Sequence, residues 1–299
     1  VSTLSLGYYP GCSGLGTSME YDASSRLCCA ALGITLHDIP DWTCCGSTPA
    51  HTVDRVLSTA ISARNFAQAE RAGLSEITTP CPSCLKNLKN ALHAMEDDFF
   101  RARVEALTEK PITQAHTVRS LLQVFVEEVG LDAVRAKVVR PLTGLKVVPY
   151  YGCLMNRPGS TMQFDNPENP VAMDNLLKAL GATVLPYPFK VECCGASFGV
   201  ADRTIVAHLS GKLLEAAKDA GADCIVVACP LCQMNLDLRQ EQIEKAAGVK
   251  YALPVPYFTQ LAGYALGERV PKLGFDKLAV DVQPLLEQCA AKAEGEEAQ

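Results

Sequence analysis

The chain contains itself twice. The octapeptide Cys81-Pro82-Ser83-Cys84-Leu85-Lys86-Asn87-Leu88 returns as Cys229-Pro230-Leu231-Cys232-Gln233-Met234-Asn235-Leu236, a spacing of 148 residues, and both copies read CPxCxxNL. The same spacing carries Ala31-Leu32-Gly33 onto Ala179-Leu180-Gly181. The triplet Cys44-Cys45-Gly46 returns one residue later than that, as Cys193-Cys194-Gly195. Tyr8-Tyr9-Pro10-Gly11-Cys12 is echoed by Tyr150-Tyr151-Gly152-Cys153, and the turn-rich segment RPGSTMQFDNPENP reads as the loop insertion that accounts for the shorter offset there. A repeat of this length means two copies of one domain, so every motif has to be read as half of a pair.

Within each copy the hydrophobic period alternates between two and 3.6. The first half predicts strands at Leu4–Tyr9, Ile34–Ile39 and Glu76–Thr79, with helices at Tyr21–Leu32, Val53–Ala72 and Pro82–Met95 between and after them. The second half follows with strands at Lys146–Pro149, Thr183–Leu185 and Cys224–Ala228, and helices at Val171–Leu180, Arg203–Ala220 and Leu231–Lys245. Further helices, Val118–Val129 and Phe258–Leu266, close the two halves. Such alternation predicts an α/β protein: two tandem pseudo-symmetric α/β domains with small parallel sheets and the cysteine loops at the C-terminal ends of the strands. The first domain is expected over residues 1–143 and the second over 144–299, with an acidic tail that frays after about Leu286.

Composition narrows the function classes. No apolar run reaches the roughly 18 residues of a spanning helix, and the start VSTLSLGYYPG lacks the basic and apolar regions of an export signal, so a soluble, cytoplasmic protein is expected. A formal charge of −6 argues against a nucleic-acid partner, since phosphate binding needs clustered cations. The small basic groups, Lys86 with Lys89 and Arg135 with Lys137 and Arg140, are read as solvated helix faces.

Fourteen cysteines remain to be explained. A disulfide framework suits small secreted domains and fits this chain poorly. Ten of the cysteines form two matching sets, Cys12, Cys44, Cys45, Cys81 and Cys84 in the first half and Cys153, Cys193, Cys194, Cys229 and Cys232 in the second. Every one follows a predicted strand, and in open parallel sheets the carboxyl ends of the strands share the ligand-binding edge. Gly46 and Gly195 allow the backbone to bend after a vicinal pair. Pro82 and Pro230 start helices whose free N–H groups face the preceding thiolates. Four thiolates complete a structural zinc site, whereas each set has five and includes a vicinal pair that crowds a single small ion. The spacing favours iron–sulfur clusters, in which neighbouring cysteines reach different irons, over zinc and over bare redox thiols.

CCG followed by CPxC, twice in one chain, resembles the cysteine-rich CCG domain family, in particular the B subunit of heterodisulfide reductase and its bacterial relatives, whose context CCGSTPAH is the nearer one. The resemblance implies one noncubane 4Fe-4S cluster per half on the ten cysteines named above, facing a cleft where a small disulfide is reductively split, or formed in reverse. It implies a catalytic subunit, an oxidoreductase acting on sulfur groups in anaerobic metabolism. The alternative is an electron-transfer or docking subunit that serves another acceptor such as a quinone. The chain has no ferredoxin-type cysteine run and no GxGxxG loop, so electrons are expected from partners. By resemblance these are a ferredoxin-like iron–sulfur C subunit and a flavin-containing A subunit.

Other residues have competing readings. His51, six residues after Cys45 and aligned with Val200 by the CCG triplets, is the candidate catalytic proton donor to a departing thiolate, set against a helix cap or surface position. Asn87 and Asn235 either hydrogen-bond cluster sulfurs or pack the repeat. Trp42 and Lys190 stand before the CCG triplets, at the cleft or in ordinary packing. Cys28, Cys29 and Cys224 read as core, Cys289 has no assigned role, and the segment PYFTQLAGYALG reads as a packed helix.

Overall fold

A computed structural model describes residues 4–47, 50–108 and 111–297. The first half runs β1 (Leu4–Tyr8), α1 (Met19–Leu32), β2 (Ile34–Asp38), α2 (Arg55–Arg71), β3 (Glu76–Thr79), α3 (Pro82–Ala94), α4 (Asp98–Thr108) and β4 (Thr117–Ser120). Its sheet is parallel, in the order β2-β1-β3-β4. The second half repeats the plan with β5 (Lys146–Tyr150), α5 (Ala172–Ala179), β6 (Thr183–Val184), α6 (Arg203–Asp219), β7 (Cys224–Val227), α7 (Pro230–Gln233), a π-helical turn (Met234–Leu238), α8 (Gln240–Ala247) and α9 (Phe258–Ala265). Its parallel sheet is ordered β6-β5-β7. The expected α/β class with two small parallel sheets is what the chain adopts.

The sheets differ at one edge for a local reason. Val118–Val129, expected as one helix, instead begins as β4, pairing with β3, and turns helical from Leu121. Its counterpart in the second half, Leu253–Tyr257, lies beside β7, where Ile225 and Val227 donate to the carbonyls of Pro254 and Pro256. Neither proline has an N–H with which to return the bond, so the ladder shrinks to a single bridge, Val227 to Tyr257.

Helix starts show how closely the copies agree. Asp54 accepts from the N–H groups of Val56 and Leu57, and Asp202 does the same for Thr204 and Ile205. These caps are again 148 residues apart, so the extra residue before the second CCG is lost again after it. Counted from the cap His51 pairs with Gly199, and counted from the CCG triplet with Val200. His51 lies in the short helix Ala50–Val53, with its side chain outside the described residues.

The halves meet along α1 and α9. Tyr21 of α1 stacks on Tyr257 with ring centres 4.0 Å apart, Ser24 and Thr259 share a hydrogen bond of 2.7 Å, and the Cys28 thiol donates to the Thr259 carbonyl. The helix Phe258–Ala265 is buried along its whole length, as expected for PYFTQLAGYALG, and Cys28, Cys29 and Cys224 are core residues. The tail, expected to fray after Leu286, is helical as α10 (Gln283–Glu297), because Leu286 and Cys289, three residues apart on one face, are buried. No helix among the described residues is long and apolar enough to cross a membrane.

Candidate metal centre

Both sheets contain the strand order 2-1-3, so the chain reverses direction across the sheet at the first strand of each half, and the crevice beyond the carboxyl ends opens there. Cys12 follows β1, Cys44 and Cys45 follow β2, and Cys81 follows β3 with Cys84 in the first turn of α3; the second set follows β5, β6 and β7 likewise. Burial is graded alike in both. Cys45, Cys81 and Cys84 are buried while Cys12 and Cys44 reach solvent; Cys194, Cys229 and Cys232 are buried while Cys153 and Cys193 reach solvent.

All the cysteines are free thiols, and those of each set approach one another. The Cys44 thiol donates to the Cys45 sulfur and, with Cys84, pulls the Cys45 pKa well below that of a free thiol. Cys81 is lowered by Cys84 and by the free N–H groups of Ser83 and Cys84 in the first turn of α3, the arrangement expected from a proline-started helix. In the second half the sulfurs of Cys194 and Cys232 are 3.6 Å apart, and Cys153, with the N–H groups of Gly195 and Ala196, lowers Cys193. The lowered sulfurs gain at their neighbours' expense, since Cys44 and Cys84 in the first half and Cys153 and Cys232 in the second are raised; each pocket thus favours some of its sulfurs as thiolates, the form that binds metal. Among the described residues no three such side chains stand as the ligand set of one ion. The donors, five soft sulfurs with adjacent members, suit a multi-iron cluster, which spreads over several metal atoms the ligands that would crowd one ion.

Each CCG loop is pinned by the same three residues, two of which have no signal of their own in the cysteine motifs. Tyr9 donates to the carbonyl of Thr43 at 2.6 Å and Tyr150 to that of Glu192 at 2.6 Å, in both cases the residue just before the vicinal pair. Ser62 donates to the carbonyl of Cys45 and Ser210 to that of Cys194. Asn87 and Asn235 direct an amide N–H at the sulfurs of Cys45 and Cys194, at 3.6 and 3.7 Å, which decides their role toward the sulfurs. The tyrosines were visible in the repeated YY before GC; the serines sit inside helices, where nothing in their spacing marks them.

Tyr21 ties the two sets together. Its hydroxyl lies 3.0 Å from the carbonyl of Pro80 and 2.9 Å from that of Ala228, the residues before Cys81 and Cys229. Trp42 packs edge-on against Tyr9. Lys190 is a buried structural cation, paired with Asp174 at 2.5 Å.

Glycine has two jobs here. Gly46 and Gly195 hold φ of +77° and +81°, and a Cβ on either would meet the following helix, at the Ser58 carbonyl or the Val206 Cα. The close approach to sulfur belongs to Gly11 and Gly152, before Cys12 and Cys153: an added Cβ would lie 2.8 Å from the Cys84 sulfur and 3.0 Å from that of Cys232. Gly11→Ala and Gly152→Ala, which also face φ of +72° and +73°, are expected to lower iron content by about half each, because one pocket in two is spoiled. Unchanged iron by metal analysis would contradict this.

Loops of both halves border one cleft of about 550 Å³. Ser47, beside Gly46, Ser83, between Cys81 and Cys84, and Asn87 line it from the first half; Leu154, after Cys153, and Ser197, after the second CCG, line it from the other.

Comparison with known proteins agrees with this arrangement. Residues 6–89 and 147–237 each match the CCG family of cysteine-rich domains. The chain is 34% identical over 281 residues to the 8-methylmenaquinol:fumarate reductase membrane anchor subunit of Wolinella succinogenes, covering 93% of this chain and 98% of that one. It is 30% identical over 287 residues to the B subunit of the ferredoxin/F(420)H(2)-dependent CoB-CoM heterodisulfide reductase of Methanosarcina acetivorans, covering 92% and 93%. Among solved structures, a hypothetical protein from Helicobacter pylori superposes with a TM-score of 0.72 at 13% identity over 93% of this chain, which spans 52% of that one and shares its fold. With two cysteine-rich domains in tandem and heterodisulfide reductase relatives along most of its length, the chain belongs to the CCG family, in the group of heterodisulfide reductase B subunits.

Proposed function

We propose that this chain is the disulfide-cleaving component of a heterodisulfide reductase-like complex, an oxidoreductase acting on sulfur, built from one CCG unit over residues 1–143 and another over 144–299. The observation that carries this is the completeness of both cysteine sets together with the single cleft their loops border. Cys12, Cys44, Cys45, Cys81 and Cys84 would hold one noncubane 4Fe-4S cluster, and Cys153, Cys193, Cys194, Cys229 and Cys232 a second. When bound, such clusters supply electrons one at a time. Reducing RSSR to two RSH takes two electrons and two protons, so two matched centres beside one guest meet the electron count.

The chain's own residues do the positioning. Tyr9, Ser62 and Asn87 in one half, and Tyr150, Ser210 and Asn235 in the other, hold the vicinal thiolates in place. His51, in the helix that begins after the first CCG loop, is the proposed proton donor to a departing thiolate. Electrons would come from a ferredoxin-like C subunit fed by a flavin-containing A subunit, since this chain carries no motif for a flavin or nicotinamide of its own.

Anaerobic purification tests the reading. A brown protein with about eight irons and matching sulfide per chain, which reduces a small disulfide with viologen radical as donor, is the expected result. A colourless protein holding two zinc ions would overturn it. The relative named as a membrane anchor subunit of a quinol-dependent fumarate reductase favours a second reading, in which the clusters pass electrons between a quinol and a partner. Turnover with a quinol and none with any disulfide would select it.

A further inference from the structure

The two cysteine sets match, but the charges around them do not. Aligned by the spacing of 148 residues, the helix after Cys84 carries Lys86 and Lys89 where the chain after Cys232 carries Met234 and Asp237. Just before the vicinal pairs, Thr43 stands where the second copy has Glu192. One exchange runs the other way, Ala91 for Arg239, and Arg239 is turned to the carbonyl of Gly199.

These charges are not cancelled locally. Asp41 with Arg64, Arg157 with Glu168 and Lys190 with Asp174 form ion pairs, whereas among the described residues Lys86, Lys89, Glu192 and Asp237 have no ion-pair partner. Lys86 and Lys89 were expected on a solvated helix face; Lys86 instead borders the cleft, and Lys89 is half-buried and donates to the carbonyl of Met162. Asp237 is buried in the π-helical turn, where it accepts from the Gln233 side chain at 3.0 Å and from the N–H of Ala279 at 2.7 Å. Burial lifts its pKa to about 6, which leaves it ionised at about pH 8. Glu20 of α1 faces it and adds negative charge on the same side. Lys89 and Asp237 each lie five residues beyond the last cysteine of their set, about 7 Å along the helix axis.

Resting on the two-cluster reading, we infer that the halves are redox-inequivalent: Lys86 and Lys89 make the first cluster the easier to reduce, while Glu192 and Asp237 make the second the harder. An added electron is stabilised by a nearby cation and opposed by a nearby anion, so cluster potentials follow the local charge. One unpaired charge in such a half-buried setting shifts a one-electron equilibrium about tenfold, or about 59 mV. A one-electron donor therefore fills the first half before the second. The second half, once filled, is the stronger donor to the guest, and each half still contributes one of the two electrons.

Potentiometric titration of the intact, cluster-loaded protein at about pH 8, followed by electron paramagnetic resonance, tests this, with Cys45→Ala and Cys194→Ala assigning each signal to its half. The first-half midpoint is expected at least about 59 mV above the second, a tenfold difference for one electron. Lys89→Gln is expected to lower the first-half midpoint and Asp237→Asn to raise the second, each by about 59 mV and each with a smaller effect on the other half. Lys89→Arg keeps the charge and the parent midpoint, which separates charge from packing, and Lys245→Gln on α8 moves neither signal. Glu192→Gln, at an exposed position, repeats the second-half test should Asp237→Asn fail to hold its cluster. Equal midpoints, the reverse order, or a gap that survives both Lys89→Gln and Glu192→Gln overturns the inference and leaves disulfide cleavage standing. The expected gap in a protein that turns over no disulfide does the reverse, keeping the inequivalence and removing the cleavage. A colourless zinc protein would overturn both.

Discussion

Cys45→Ala and Cys194→Ala, made separately, are expected to bring disulfide turnover to the background rate, while each variant keeps about half of the iron and the paramagnetic signal of the untouched half. The two residues hold matching positions in the two copies. Each is the second of a vicinal pair, is buried, has its pKa lowered by a neighbouring thiol, and receives an amide N–H from the asparagine of CPxCxxNL. Removing either sulfur leaves an Asn donor aimed at a methyl group and a set of four thiols in place of five. The chemistry asks for two electrons, and one intact centre delivers one at a time, so loss of either half stops the reaction rather than halving its rate. That non-additive outcome separates the reading from its rival. If Cys194→Ala reduced disulfides at the parent rate, the second half would be a relay or a scaffold. Cys29→Ala is the control: Cys29 is as deeply buried, belongs to neither set, and is expected to leave iron and turnover alone.

How much of this was legible in the sequence depends on whether a residue acts through its side chain or through the backbone it restrains. The cysteine motifs advertised themselves because metal chemistry needs that side chain, and because duplication wrote each motif twice. Strands β1, β2, β3, β5 and β7 were legible because short apolar β-branched runs sit between turn residues. Strand β4 was hidden because Val118, Leu121, Leu122, Val124 and Phe125 form one apolar run that crosses from an edge strand into a helix. Helix α4 was missed because it buries Val104 alone, so FFRARVEALT shows little period. Glycine was read at the right triplets for an incomplete reason: Gly46 and Gly195 clear the next helix, whereas Gly11 and Gly152, quoted only as part of an echo, clear the sulfurs. Lys190 was legible as a residue near the site and illegible as an ion pair, since its partner lies 16 positions away on α5.

That ion pair carries the second large effect. Lys190→Met is expected to destabilise the second half by about 3–5 kcal/mol, the cost of leaving a buried carboxylate without its cation. Lys190 and Asp174 each keep about a tenth of their side-chain surface exposed, at a distance of 2.5 Å. The other carboxylate oxygen accepts from the Tyr151 hydroxyl at 2.8 Å, and that hydroxyl in turn accepts from the N–H of Met173 at 2.7 Å. The carbonyl of Lys190 also accepts from the N–H groups of Tyr151 and Gly152, so one residue holds the loop that delivers Cys153 from both its ends. Denaturant unfolding should therefore show a lower midpoint, and iron should leave the second half before the first. The double variant Lys190→Met with Asp174→Asn removes both charges and keeps an acceptor for Tyr151, so it is expected to recover most of the loss. A single variant within about 1 kcal/mol of the parent would mean that the pair contributes no more than an exposed one. The Cys153 loop would then owe its position to the sulfurs and Gly152 alone.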